Sequence, residues 1–260
     1  MVVFFDIDGT IVDNETQIIP ESAVEAIRLL RENGHVAVVN TGRPYGHVDA
    51  RIKALDFDGW VCACGMEVIL NGAFVYRDYP TAEECAYIIE QCEKYNMLIQ
   101  AETAGDLYYN ADREYTPAPL REAGRLAKKG IRVIPYQNVQ DRSFIKFVTH
   151  ETEESDRAGF LKATESLFDP MIHRGTMIEY TKRGNTKAKG MERLLQILGT
   201  PKEETFAIGD SENDLTMFAV AGTTICMGDG MEKLKAEATY ITDTVLEDGL
   251  FNALRHFELI

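Results

Sequence analysis

Two aspartates stand one residue apart, Asp6 and Asp8, where the apolar run of "VVFFDIDGT" ends. Positions i and i+2 of an extended chain share a side, so their carboxylates repel and ask for a cation. Other segments offer matching chemistry: Thr41 follows "VAVVN" and Asp210 follows "TFAIG". In an open parallel sheet, ligands bind beyond the carboxyl ends of the strands, so Asp6, Asp8, Thr41 and Asp210 are expected at one rim. Three aspartates with carbonyl and water oxygens fit a hard cation, and Mg²⁺ in an octahedral site is the natural candidate. The same rim suits a phosphate: Thr41 offers a hydroxyl, Gly42 an unhindered N–H, Asn213 an amide at a helix start and Lys187 a positive charge.

The elements that must position these residues can be read from the apolar spacing. Ser22-Ala23-Val24-Glu25 reads as a capping box, followed by a helical stripe of Val24, Ile27 and Leu30 that ends at Gly34. Val36–Val39 is then a second strand, which makes a βαβ unit with parallel strands and a right-handed crossover. Trp60–Ala63 reads as a third strand, and Asn71-Gly72 as a hairpin turn, because both turn positions want positive φ.

From Thr81 to Arg183 the pattern changes. It reads as a helix capped by Thr81 and Glu84, strands at "LIQAE" and "DLYYNA", a helix before Gly130, a strand "FIKFVT", a helix from Ser155, and strands around "MIHR" and "TMIEYTK". That grouping suggests an α+β module. The rest returns to alternation: helix "KAKGMERLLQILG", strand "TFAIGD", helix "NDLTMFAVAG", strand "TTICMG", helix "GMEKLKAEA" and strand "YITD". The expected fold is thus α/β, a doubly wound, Rossmann-like parallel sheet over 1–81 and 184–260, interrupted by an inserted α+β cap over 82–183.

With 260 residues, 45% of them hydrophobic, the chain can bury real cores. A formal net charge of -15 opposes attachment to nucleic acid or an anionic bilayer. No apolar run reaches the roughly 20 residues of a membrane helix, and only Met1–Phe5 precede Asp6, too little for a signal peptide. A cytoplasmic enzyme is expected, with no nucleic acid, membrane or protein partner. The five cysteines follow no CxxC spacing and read as buried free thiols. The histidines are scattered without an HExxH, and Asn14-Glu15-Thr16 matches a glycosylation acceptor only by chance.

"DIDGT", "NTGRP", "GNTKAKG" and "GDSENDLTMF", in this order, resemble the four motifs of the haloacid dehalogenase-like superfamily. The insertion after the second motif, the "NGAFVY" hairpin and the late "EDG" resemble the Cof-type branch, whose hydrolases carry a large α/β (type C2) cap. The resemblance implies that Asp6 attacks phosphorus and becomes an aspartyl-phosphate, while Asp8 protonates the leaving oxygen and later activates water. Asp6 and Asp210 would bind Mg²⁺ through carboxylates and Asp8 through its backbone carbonyl, with Asp214 steadying them from behind. Thr41, Gly42, Lys187, Asn213 and the N–H of Ile7 would hold the phosphoryl group. The cation and Lys187 should then lower the pKa of Asp6, and Asp8 should sit where its neutral form is tolerated.

Lys187 fits the third motif's spacing, with Lys189 as a solvated alternative. Arg43 could pair with a substrate phosphate or with a structural carboxylate. Asp229 in "CMGDGME" stands where many relatives carry asparagine. "DIDG" alone could be a calcium loop, but an EF-hand loop follows a helix, and these residues follow a β run. "GNTKAKG" lacks the P-loop's spacing. The implied activity is a Mg²⁺-dependent phosphatase acting on a small phosphorylated metabolite such as a sugar phosphate, nucleotide or cofactor phosphate. A sugar phosphomutase using the same aspartyl-phosphate and a non-catalytic phospho-acceptor or sensor are the rival readings.

Overall fold

The computed structural model describes residues 1–110, 123–124, 126–127, 130–135, 143–172 and 177–260. They form two compact units: Met1–Arg43, Ala50–Arg77 and Asn185–Ile260 make the first, and Pro44–Asp49 with Asp78–Gly184 make the second. The long stretch of the second unit begins at Asp78, four residues before the expected cap boundary at 82, and the unit also takes in Pro44–Asp49, a short piece of chain outside the inserted span.

The first unit is built on an eight-stranded sheet. Its strands in chain order are β1 (Val2–Phe5), β2 (Val36–Asn40), β3 (Gly59–Cys62), β4 (Glu67–Leu70), β5 (Ala73–Arg77), β12 (Thr205–Gly209), β13 (Thr223–Cys226) and β14 (Tyr240–Ile241). Their order across the sheet is β14-β13-β12-β1-β2-β3-β4-β5. The pairs from β14 to β3 are parallel, and β4 and β5 are added antiparallel. The chain steps outward from β1 in one direction and resumes on its other side with β12. That reversal is the topological switch point at which such sheets bind ligands.

Both faces of the sheet are covered, which is why β1 is apolar at every position instead of alternating. On one face Val2, Phe4, Val38, Val61 and Ala207 pack with Met191, Leu194, Met217 and Phe218. The last four lie on α5 (Lys187–Leu198) and α6 (Leu215–Val220). Elsewhere α1 (Glu21–Glu32) packs against α8 (Gly249–His256), with Ala26, Ile27 and Leu30 of the one and Leu250 and Leu254 of the other buried, and the short helices α2 (Ala50–Lys53) and α7 (Glu232–Lys235) also belong to this unit. The helix at Ser22 starts earlier than its capping pattern suggests. Pro20 is the N-cap in an extended conformation and Glu21 is the first helical residue, a place where proline's fixed φ and an acidic side chain both suit a helix start.

The hairpin joining β4 and β5 turns on Asn71 (φ 51°) and Gly72 (φ 77°), as the Asn-Gly pair predicts.

The second unit holds a six-stranded sheet of β6 (Leu98–Glu102), β7 (Asp106–Tyr109), β8 (Arg132–Pro135), β9 (Lys146–His150), β10 (Phe168–Ile172) and β11 (Met177–Lys182), ordered β10-β11-β9-β6-β7-β8. All its pairs are antiparallel except β7 with β8. Helices α3 (Ala82–Lys94) and α4 (Arg157–Thr164) pack their Ile88, Cys92 and Phe160 against Ile99, Phe147, Phe168 and Tyr180 of the sheet. Phe147 and Tyr180 stack face to face with centroids 4.6 Å apart. The helix expected before Gly130 falls largely outside the described residues, as do 173–176 of the "MIHR" region. Among the described residues no helix is long and apolar enough to cross a membrane.

Helix α3 starts with the expected capping box: Thr81 accepts from the Glu84 N–H, and the Glu84 carboxylate accepts from the Thr81 N–H. Thr81→Ala should lower stability by about 1 kcal/mol in urea unfolding, and Thr81→Ser should leave it nearly unchanged.

Candidate active site

Strand β1 pairs with β12 in parallel, and the pairing runs on past Phe5, since the Asp6 N–H donates to the Ile208 carbonyl (3.0 Å). The chain then turns tightly, with the Ile7 carbonyl accepting from the N–H groups of Thr10, Ile11 and Val12. Gly9 has φ 76°, and a Cβ there would stand 2.3 Å from Oδ2 of Asp210. Only glycine lets the "DIDG" turn and the carboxylate at the end of β12 approach so closely.

Helix α5 delivers the lysine. Its N-cap, Thr186, accepts from the Lys189 N–H, so Lys187 is the first helical residue, and the Lys187 carbonyl accepts from the buried amide of Asn40 at the end of β2. Lys187 Nζ then donates to Asp6 (2.7 Å) and to Asp214 (2.6 Å). All three side chains are buried, Lys187 at 1% exposure. Lys189 instead lies on the surface beside Glu192.

The other oxygen of Asp214 accepts from the backbone N–H groups of Asp210 and Ser211, both at 3.0 Å. Ser211 Oγ donates to Oδ1 of Asn213 (3.0 Å), which engages the acceptor end of that amide and leaves its NH₂ for a ligand. Thr41 is buried and extends the β2–β3 pairing, its N–H donating to the Val61 carbonyl (2.8 Å).

The structure thus brings Asp6, Asp210 and Asp214 together, with one oxygen of each within 4.8 Å of the others. Asp8, by contrast, turns its carboxylate to Arg43, whose Nε donates to Oδ2 (2.8 Å) while a terminal nitrogen pairs with Oδ1. Of the two roles open to Arg43, the pairing with a carboxylate is the one observed. Asn14 is a neighbour that the sequence offers no reason to single out: its amide nitrogen, like Asp210, stands over Gly9, 2.6 Å from where a Cβ would be.

Burial pushes Asp6 up to about 7, with repulsion from Asp214 and Asp8 adding to it and the pull of Lys187 only partly offsetting it. Lys187 lowers the pKa of Asp6, as expected of the lysine, but without a cation beside it the lysine does not bring Asp6 into the usual carboxylate range. Asp210 is pushed up to about 8, first by burial and then by Asp6 and Asp214, with exposed Asp229 adding to the repulsion. Burial works against the Lys187 ammonium, but Asp214 and Asp6 outweigh it and raise its pKa. Three carboxylates share one lysine, and Oδ1 of Asp210 is buried with no hydrogen-bond partner. That donor set fits a hard divalent cation taking oxygen ligands.

The family model for haloacid dehalogenase-like hydrolases matches residues 3–254. The chain belongs to that family. It is similar to the 5-amino-6-(5-phospho-D-ribitylamino)uracil phosphatase of Bacillus subtilis, 26% identical over 272 residues, which cover 98% of this chain and 97% of that protein. Phosphoglycolate phosphatase of Methanosarcina acetivorans is 27% identical over 259 residues, 98% of this chain and 96% of that one. The solved structure of a sugar phosphatase of haloacid dehalogenase subclass IIB superposes with a TM-score of 0.81 at 25% identity, covering 100% of this chain and 99% of that chain. This haloacid dehalogenase-like chain is therefore a phosphatase of the Cof-type branch.

Two predictions follow from the charge balance. Asp6 and Asp210 bind protons more tightly when folded than the unfolded value near 4, so the stability they contribute is full below about pH 4 and lost as pH rises through 7 to 8. The melting temperature of metal-free protein should fall over that window, and millimolar Mg²⁺ should flatten the slope by replacing the protons. Lys187→Met should destabilise the metal-free protein by about 3–5 kcal/mol in urea unfolding, because it leaves Asp6 and Asp214 buried without their cation.

Proposed function

We propose that this phosphatase hydrolyses small organic phosphate monoesters with Mg²⁺ through an aspartyl-phosphate on Asp6. The observation that carries the reading is the buried Asp6 carboxylate at the switch point, bonded to Lys187 and clustered with Asp210 and Asp214. Mg²⁺ held by the Asp6 and Asp210 carboxylates and the Asp8 carbonyl would neutralise charge on the carboxylates and on the phosphoryl oxygens.

The chain's own residues do the rest. Asp6 attacks phosphorus, the bond to the leaving oxygen breaks, and Asp8 gives that oxygen its proton. Thr41, Gly42, Ile7, Asn213 and Lys187 hold the phosphoryl oxygens as charge shifts onto them. Water then attacks the aspartyl-phosphate, Asp8 takes its proton, and phosphate leaves with Asp6 restored. Asp214 acts from behind, fixing Lys187 and the backbone at Asp210 and Ser211.

Acid–base help supplies only about 10²–10⁴ in rate. The nucleophile and the charge around it must supply most of the acceleration. The second unit, in this reading, sets substrate choice and excludes water. The relatives act on a phosphorylated ribitylamino-uracil, on phosphoglycolate and on sugar phosphates, a spread that supports small phosphorylated metabolites as the class.

The test is inorganic phosphate release from a panel of sugar, nucleotide and vitamin phosphates, with and without Mg²⁺. Wild type should release phosphate only with Mg²⁺, and Asp6→Asn should lose more than about 10³-fold. Normal turnover by Asp6→Asn would remove Asp6 as the nucleophile. Stable phosphorylation without release would favour the sensor, and transfer to a sugar the mutase.

A further inference from the structure

Asp229 is a carboxylate that the proposed mechanism leaves unused, and it is held beside the acidic cluster. It lies in the turn after β13, where the chain runs Cys226-Met227-Gly228-Asp229-Gly230-Met231. The Met227 N–H donates to the Gly209 carbonyl (3.0 Å) and the Met231 N–H to the Asp210 carbonyl (2.7 Å), so the turn is bonded to the end of β12 on both sides of Asp229. Within the turn, the Gly228 N–H donates to the Asp243 carbonyl (3.0 Å) and the Gly230 N–H to the Met227 carbonyl (2.9 Å). The residues flanking Asp229 are therefore fixed, and its place at the rim is fixed with them.

The approach to Asp210 is close. A Cβ on Gly230 would stand 3.1 Å from the Asp210 carbonyl oxygen. Asp229, one residue earlier, thus has its Cα no more than roughly 8 Å from that oxygen, about the screening length of physiological salt. Its charge reaches across the gap, being one of those that raise the pKa of Asp210.

Nothing on the turn cancels that charge. Asp229 is exposed, and among the described residues no group bonds or pairs with its carboxylate. The two lysines that follow it, Lys233 and Lys235 on α7, pair with Glu212 and Glu232. Lys187 is bonded to Asp6 and Asp214. Asp229 therefore adds its full negative charge to the Asp6, Asp210 and Asp214 cluster, in which Oδ1 of Asp210 is buried with no hydrogen-bond partner.

A fixed, solvated carboxylate raises the affinity of a nearby site for a divalent ion without touching it. Its pull is long-range and is screened by salt, whereas the bond of a direct oxygen ligand, about 2 Å long, is not. We propose that Asp229 strengthens divalent-cation binding at the Asp6–Asp210 cluster as an outlying charge, without ligating the ion. The inference rests on the reading of that cluster as the Mg²⁺ site.

The test is calorimetric titration of Mg²⁺ into the metal-free full chain, without substrate, at low ionic strength and in about 1 M KCl, where the screening length falls to about 3 Å. Asp229→Asn should weaken binding by about fivefold or more at low ionic strength and by less than about twofold in the concentrated salt. Asp229→Ser should repeat that result, and Asp229→Glu, which keeps the charge, should stay within about twofold of wild type in both. Glu203→Gln removes another exposed carboxylate at the opposite end of β12, about 17 Å along the strand from Asp210, and should change the affinity by less than about twofold. Unchanged binding by Asp229→Asn, a loss that persists in concentrated salt, or a loss shared by Asp229→Glu overturns the proposal. Equal weakening by Glu203→Gln does so as well, because net charge and not placement would then be the cause. The Mg²⁺ reading is judged separately: binding by wild type that is lost in Asp210→Asn keeps it whatever Asp229 does, and a wild type that binds no Mg²⁺ overturns both.

Discussion

The Lys187 ammonium sits between the carboxylates of Asp6 and Asp214, all three out of reach of water. A buried ion left alone costs several kcal/mol, so each of these charges is acceptable only while the others are in place. Their requirement ties together three remote pieces of chain: the end of β1, the first turn of α5 and the turn after β12. Once those are tied, the neighbouring donors have little freedom. Asp214 spends its second oxygen on two backbone N–H groups, and that fixes the path of the chain at Asp210 and Ser211. The Ser211 hydroxyl in turn fixes Asn213.

The lysine answers only part of the charge. Asp6 and Asp210 stay pushed up to about 7 and about 8, burial being the larger cause for each and neighbouring carboxylates the next for Asp210. A site with surplus negative charge and a buried, unpartnered carboxylate oxygen is poised to take a cation, and its charge balance is right for an anionic substrate only after it does. Under the proposed function, metal and substrate recognition are one electrostatic problem in this architecture.

Much of this was legible in the residues. Apolar runs of four or five that end in Asp6, Thr41 and Asp210 announce buried parallel strands, and their carboxyl ends share a rim for topological reasons. Asn71-Gly72 and Thr81 with Glu84 name their own turn and cap, because the chemistry is local. What was not legible is non-local. Nothing in the spacing says that Arg43 reaches Asp8, 35 residues away, or that Asn14 stands over Gly9. The rise in the pKa of Asp6 depends on burial, which the sequence does not quantify. The early helix start at Glu21 shows a local signal, Ser22 with Glu25, losing to another local signal, Pro20. The membership of Pro44–Asp49 in the second unit escapes a reading by periodicity, since a six-residue connection carries no period to read.

In the proposed mechanism, Asp8 faces a different problem from Asp6. A nucleophile can be held permanently, because its task is done in one place and one ionisation state. A group that must first donate a proton and then accept one has to change partners within each turnover, and a rigid cage would serve only one of the two steps. An exposed carboxylate would change partners freely but would be placed poorly. Arg43 offers a middle course: its planar fork fixes both oxygens in direction, and as a more exposed pair than Asp6–Lys187 it can be opened at far smaller cost. Permanence at Asp6 and exchange at Asp8, two residues apart on one turn, is the division of roles that a buried lysine and a half-buried arginine suit in that mechanism.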